Sequence, residues 1–137
     1  MAAAGIIVYK IVNNKPLFLG LIALSEDQKR NRGTYDIPKG EIEADETELT
    51  AAFRECFEES GLRPKIKSGP FSTGRITVWL GEVDEKDCKV YIYKNPYTGI
   101  IEHLGYNWKS PEYIRKNCLN YLKPHLIWAE SEVLNHI

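Results

Sequence analysis

Residues 40–62 read Gly40-Glu-Ile-Glu-Ala-Asp-Glu46-Thr-Glu48-Leu-Thr-Ala-Ala-Phe-Arg54-Glu55-Cys56-Phe-Glu58-Glu59-Ser-Gly61-Leu62. At the α-helical period, Glu48, Ala51, Glu55, Glu58 and Glu59 fall on one side, and Leu49, Ala52, Phe53 and Cys56 fall roughly opposite. The spacing therefore predicts a helix with one apolar face and one face crowded with carboxylates. Glu55 with Glu58, and Glu55 with Glu59, are neighbours of like sign, and each pair costs a helix a few tenths of a kcal/mol when nothing lies between them. A divalent cation reverses that cost, so the stretch reads as a metal site.

The pattern resembles the Nudix box. Gly40, Glu46, Arg54, Glu55, Glu58, Glu59 and Gly61 stand at its fixed positions, and Leu62 supplies the closing apolar residue. Cys56 occupies a place that is usually aliphatic, where a small apolar thiol serves equally as packing. A merely solvated, glutamate-rich helix would account for neither the two glycines nor the Arg-Glu pair at these separations.

The rest of the composition sets bounds. A chain of 137 residues, 43% hydrophobic and 27% charged, is long enough to bury a core without disulfide or metal staples. One domain spanning residues 1–137 is expected. A net charge of -1 argues against a broad nucleic-acid or membrane surface, so any phosphate recognition must be local. Cys56, Cys88 and Cys118 are widely spaced and form no ligand pattern, which reads as reduced thiols and a cytoplasmic setting. The apolar N-terminus shows neither a basic leader nor a long hydrophobic run, so it is expected to be a strand rather than a signal peptide or membrane span.

Along the chain, residues 3–12 and 17–24 are rich in Ile, Val, Leu and Phe and are separated by Asn13-Asn14-Lys15-Pro16, which predicts a hairpin. Residues 25–33 are polar and without periodicity and read as a surface loop. Its Lys29, Arg30 and Arg32 form either a basic lip for phosphates or incidental solvated charge. Residues 35–40, Tyr-Asp-Ile-Pro-Lys-Gly, approach the helix tightly, with Pro38 withholding an amide and Gly40 permitting unusual backbone. Gly61 is a candidate C-cap and Pro64 blocks further helix. Residues 71–74 are turn-like, residues 75–83 predict a central strand, and residues 89–93 a weaker one. Residues 95–99, Asn-Pro-Tyr-Thr-Gly, are a turn before a short segment at 100–103. Ser110-Pro111 predicts a helix start, and Pro124 an interruption before a last helix ending at Leu134. Strands around one marked helix, with more helix at the end, give an α/β layered domain, and the Nudix resemblance implies a mixed β-sheet sandwiched between α-helices.

Glutamates on a rigid helix without His or Cys suit Mg²⁺ or Mn²⁺, and such ions share their coordination with substrate phosphates. That points to phosphoryl or pyrophosphoryl chemistry. The resemblance implies that Glu55, Glu58 and Glu59, with the Gly40 carbonyl, hold the metal, and that Arg54 and Glu46 form a supporting pair. It makes Lys39 a phosphate contact. The segments around Lys39, Arg75 and Glu102-His103-Leu-Gly-Tyr106-Asn-Trp108 are similar to those of the diadenosine tetraphosphate hydrolase branch. By that likeness Glu102 approaches the metal, and Tyr35, Arg75 and Tyr106 contact substrate; Tyr106 and Trp108 read equally as core aromatics. Glu41-Ile42 after the glycine, and residues 95–99, depart from that branch.

The expected function is Mg²⁺-dependent hydrolysis of a pyrophosphate linkage in a small-molecule nucleotide, foremost a dinucleoside polyphosphate. A nucleoside triphosphate pyrophosphohydrolase of the pool-sanitising type is the runner-up. A non-catalytic nucleotide sensor and an RNA-end pyrophosphohydrolase are further alternatives, the first opposed by the intact carboxylate set and the second by the missing basic excess.

Overall fold

The structure, a computed structural model, describes residues 2–137. Ala3–Val12 (β1) and Lys15–Ala23 (β2) form the expected hairpin, turning through Asn13 and Asn14 at φ 52° and 64°, the left-handed pair a tight two-residue connection requires. The two strands pair only from Tyr9↔Phe18 to Val12↔Lys15. Beyond Tyr9 they part, and after a short helix, Ser25–Asn31 (α1), the chain returns to fill the fork. Tyr35–Asp36 (β3) lies along β2, and Lys39–Glu41 (β4) lies along β1.

The marked helix follows at Glu48–Ser60 (α2), started by Thr47, whose side chain accepts from the Thr50 amide, and ended by Gly61 at φ 75°. Lys65–Thr73 (β5) and Ile76–Glu82 (β6) make a second hairpin, and β6 runs parallel to β1 from Ala3↔Ile76 to Tyr9↔Glu82. His103–Lys109 (β7) takes the outer edge of β2, and Pro111–Asn117 (α3) and Lys123–Val133 (α4) complete the chain. The described residues thus form a seven-stranded mixed sheet with four α-helices, an α/β fold.

Alternation along β1 sorts the core into two layers. Ile7 and Tyr9 face the side covered by Ile114 of α3 and Leu126, Ala129 and Val133 of α4. Ala4, Ile6 and Val8 face Ala51, Ala52 and Cys56 of α2. Cys56 and Cys118 are buried, and all three cysteines are free thiols. Among the described residues no helix is long and apolar enough to cross a membrane.

Four expectations change. Residues 25–33 are mostly helix, invisible to periodicity because α1 buries no side chain; Glu26 and Asp27 in its first turn and Lys29 and Arg30 in its last complement the helix dipole. Residues 71–74 close the long edge strand β5, whose pattern is broken by Gly69 and Pro70 and by register shifts around Ser68. Residues 89–93 alternate in burial yet join no ladder, because the Tyr91 amide donates to the Ser60 carbonyl at the end of α2 and not to a strand. Pro124 does not break a helix, since α3 has already ended at Asn117 and Pro124 sits in the first turn of α4.

Gly5 lets β4 approach β1. A Cβ there would run into the Pro38 carbonyl oxygen and Lys39. Gly5→Ala is therefore expected to destabilise the fold by about 1–3 kcal/mol, read from denaturant unfolding, because backbone and not a flexible side chain has to give way.

Candidate active site

The fork between β1 and β2 places Lys39-Gly40 directly against α2. A Cβ at Gly40 would occupy the space of the Glu55 carboxylate, so glycine leaves that carboxylate its position. Next to it Arg54 organises the acids. Its Nε and Nη2 donate to Glu46 Oε2 at 2.6 Å and Oε1 at 2.9 Å, a two-pronged grip, and Nη2 also donates to the Glu41 carbonyl at 2.9 Å. Its Nη1 donates to Glu55 Oε1 at 2.8 Å and to Glu58 Oε2 at 3.0 Å. Donation from Arg54, with help from the Glu43 amide, holds the Glu46 carboxyl down at about 2.

Glu59 sits on the other side of this cluster, only 9% exposed, and accepts from the Lys39 amide at 3.3 Å. The buried arc of α2 is thus shifted from the expected one. Ala51, Ala52, Cys56, Glu59 and Ser60 are buried, while Phe53 is 36% exposed. Small residues at 51, 52 and 56 let the helix settle close to β1, which draws Glu59 inward and turns Phe53 out. Burial pushes the Glu59 carboxyl well above the usual carboxylate range, with the negative charges of Asp36, Glu55 and Glu102 adding to it against Lys39. Burial also raises Glu55, against the opposing pull of Arg54.

Asp36, on β3, ties the remaining pieces together. Its Oδ1 meets Lys39 Nζ at 2.9 Å and its Oδ2 meets His103 Nε2 at 2.9 Å. Burial would raise the Asp36 carboxyl, but Lys39 and His103 bring it down to about 2. The same ion pair keeps Lys39 firmly protonated in spite of its burial. His103 carries the adjacent Glu102 to the rim of a cavity of about 510 Å³ lined by Lys39, Gly40, Arg54, Glu55, Glu58 and Glu59. A second cavity of about 350 Å³ adjoins it along Lys39, Glu59, Glu102 and His103, which line both.

Lys39, Gly40, Arg54, Glu55, Glu58, Glu59 and Glu102 are accordingly brought together, with Glu46 behind Arg54 and Gly61 capping the helix. Tyr35, Arg75 and Tyr106 line neither cavity. Tyr35 is buried and its hydroxyl donates to Asn107 at 2.6 Å. Arg75 lies exposed at the turn between β5 and β6, and its carbonyl accepts from the Ala3 amide. Tyr106 is a partly exposed residue of β7 opposite Leu21, and Trp108 packs on the α2-side core under the Lys10 ammonium. Lys29 and Arg32 border a separate shallow depression. Sequence reasoning assigned no role to Asp36 or His103. The visible signal was only that Asp36 stands three residues before Lys39 and that His103 follows Glu102.

Among the described residues, no three carboxylate, histidine or cysteine side chains converge as a closed ligand set, since Glu55 and Glu58 are both drawn onto Arg54. The donors nevertheless fit a hard divalent cation. They are all oxygen, they repel one another, and Gly40 leaves the Glu55 carboxylate its space.

A family model of the NUDIX domain matches residues 1–117, and the chain belongs to that family. Nudix hydrolases generally use a divalent metal such as Mg²⁺. A C. elegans Ap4A hydrolase, solved as a binary complex, has the same fold with a TM-score of 0.70 over 99% of this chain and 98% of that one, at 21% identity. The NUDIX domain of Shewanella oneidensis NrtR, solved with ADP ribose, gives 0.62 over 98% and 88% at 13% identity. An RNA pyrophosphohydrolase of Francisella tularensis subsp. mediasiatica is 47% identical over 38 residues, a match spanning 28% of this chain and 24% of that protein.

Asp36 generates a test in acid. Its folded-state value of about 2 lies below the ordinary 3.8, so its contribution is present above about pH 4 and is lost as pH falls through about 2. The shift corresponds to about 2 kcal/mol. Unfolding free energy measured from pH 5 to 2 is expected to fall for the wild type and to fall less steeply for Asp36→Asn, which starts lower at pH 5.

Proposed function

We propose that the chain hydrolyses a pyrophosphate linkage in a dinucleoside polyphosphate such as diadenosine tetraphosphate, with Mg²⁺ or Mn²⁺ held by Glu55, Glu58, Glu59 and the Gly40 carbonyl. The observation that carries the substrate is the pair of cavities meeting along Lys39, Glu59, Glu102 and His103. A molecule with phosphates at its centre and a nucleoside at each end suits that shape, whereas a mononucleotide leaves one cavity unused.

When bound, the metal supplies charge neutralisation for the phosphates and Lewis acidity at the scissile linkage. Arg54, gripped by Glu46, fixes Glu55 and Glu58 in orientation without competing for Glu59. Lys39, kept charged by Asp36, presents a compact cation to a phosphate oxygen. Glu102 is exposed where the two cavities join and can orient the attacking water and accept its proton. The whole domain, residues 1–137, serves this one site, and a cytoplasmic location fits its free thiols.

The RNA pyrophosphohydrolase match favours a second reading, cleavage at an RNA end. The match is 38 residues long, and the net charge of -1 provides no broad surface for a polyanion. A nucleoside triphosphate pyrophosphohydrolase remains the runner-up among small substrates.

Two measurements test the proposal. Turnover is expected to vanish in excess EDTA and in Glu59→Gln, whose fold persists and whose metal-free melting temperature rises with the buried charge gone; Glu102→Gln is expected to lower kcat by roughly 10²- to 10⁴-fold with little change in KM. Full activity of either variant refutes the assigned roles. In a substrate panel, diadenosine tetraphosphate is expected to give ATP plus AMP with kcat/KM far above that for ATP or dGTP. Preference for a triphosphate with release of pyrophosphate selects the runner-up, and preference for triphosphorylated RNA selects the second reading.

A further inference from the structure

Residues 91–97, Tyr-Ile-Tyr-Lys-Asn-Pro-Tyr, place three tyrosines in a segment that the catalytic machinery does not use. Phe57, Tyr93 and Tyr97 are 41%, 47% and 88% exposed, Tyr93 sharing one depression with Phe57 and the catalytic cavity with Tyr97. With Glu58, Lys94 and Pro96, Phe57 and Tyr93 line a mainly apolar depression of about 320 Å³. Glu58, Tyr93, Lys94 and Pro96 also line the catalytic cavity, as does Tyr97, so the depression adjoins that cavity.

The wall is held in place by its own contacts. Tyr91 stacks on Tyr93 with ring centroids 6.0 Å apart and planes at 26°, and the Tyr91 amide is bonded to the Ser60 carbonyl at 2.9 Å. Phe57 is backed by the Arg63 guanidinium at 4.2 Å. The Asn95 side chain accepts from the amides of Tyr97 and Thr98 at 2.8 and 3.2 Å, and the Asn95 amide donates to the Ile100 carbonyl at 2.8 Å. Residues 95–99 thus form a pinned turn that presents Pro96 and Tyr97 beside the carboxylates.

We propose that this wall is a nucleobase subsite in which a base of the bound nucleotide stacks on Tyr93 and Tyr97, with Phe57 and Pro96 completing the apolar surface. The proposal rests on the nucleotide substrate argued above. The ligand must be flat and aromatic to use exposed π-faces, and it must be joined to phosphates to engage Lys39 and the glutamates of the adjoining cavity. A nucleotide meets both requirements. A purely apolar ligand would instead meet the Glu58 carboxylate and the Lys94 ammonium without partners.

The test is a binding comparison of AMP with its base-free counterpart, ribose 5-phosphate, by NMR titration. Wild type is expected to bind AMP with shifts at Phe57, Tyr93 and Tyr97. The Tyr93→Leu/Tyr97→Ala double variant is expected to weaken AMP by about ten-fold, as loss of base–aromatic stacking does, and to leave ribose 5-phosphate unchanged. Tyr93→Trp is expected to retain AMP affinity. Wild-type AMP affinity in the double variant, or equal losses of AMP and ribose 5-phosphate, overturns the subsite, as does failure of the wild type to bind AMP. Tyr97→Ala alone touches only an exposed side chain and keeps the test free of folding effects. If the wild type cleaves no dinucleoside polyphosphate, the substrate reading falls separately, while the AMP and ribose 5-phosphate contrast still decides the subsite.

Discussion

Mutual repulsion among Glu55, Glu58 and Glu59 on a single helix is the constraint around which the rest of the chain is arranged. Left alone, such a cluster would bias the helix toward fraying. Arg54 offsets it from within the same helix, bonding Glu55 and Glu58 through Nη1 while Glu46 holds the other edge of the guanidinium. One cation cannot satisfy all three acids, and Glu59 is the one left over. Its partners are a backbone amide and the field of Lys39 and not a direct counter-ion.

That arrangement needs a second element brought close to the helix, and the sheet supplies it by an incomplete hairpin. Because β1 pairs with β2 only from Tyr9 onward, β4 can lie along the freed edge of β1 at Ala3 to Gly5 and carry Lys39-Gly40 to α2. Two glycines permit the approach, Gly5 on the β1 side and Gly40 on the helix side. Asp36 then links this segment to β7 through His103, so the carboxylate of Glu102, far along the sequence, is set beside a site made mostly of local residues.

The division between what could and could not be read from the sequence follows the range of the interactions. The box residues were legible because helical spacing puts Arg54 with Glu58, four apart, and Glu55 with Glu58, three apart, within reach on one face. The first hairpin, the central strand β6 and the caps at Gly61 and Ser110 were legible for the same local reason; the Ser110 side chain accepts from the Tyr113 amide three residues on. The pairing of Asp36 with His103 spans 67 residues and has no local signature. Helix α1 escaped notice because it buries nothing, and periodicity reports only burial. Residues 89–93 misled in the opposite sense, since their alternation in burial is real but no sheet edge is open to them. Tyr35 and Tyr106 had aromatic character but not position, because strand pairing sends the first into the core, bonded to Asn107, and places the second outside both cavities.

The C-terminal end of α2 joins the carboxylate cluster to the aromatic wall. Gly61 adopts φ 75° and stops the helix about one turn after Glu58, which leaves the Ser60 carbonyl free to accept from the Tyr91 amide. A Cβ at Gly61 would press on the Tyr91 ring, so the glycine serves the wall as well as the helix end. The backbone that carries the tyrosines is therefore tied, through Tyr91, to the end of the carboxylate helix by a backbone hydrogen bond and not by a long side chain. A site that must hold a charged centre and a flat ring at one distance gains from this, because any motion of the helix end moves both together.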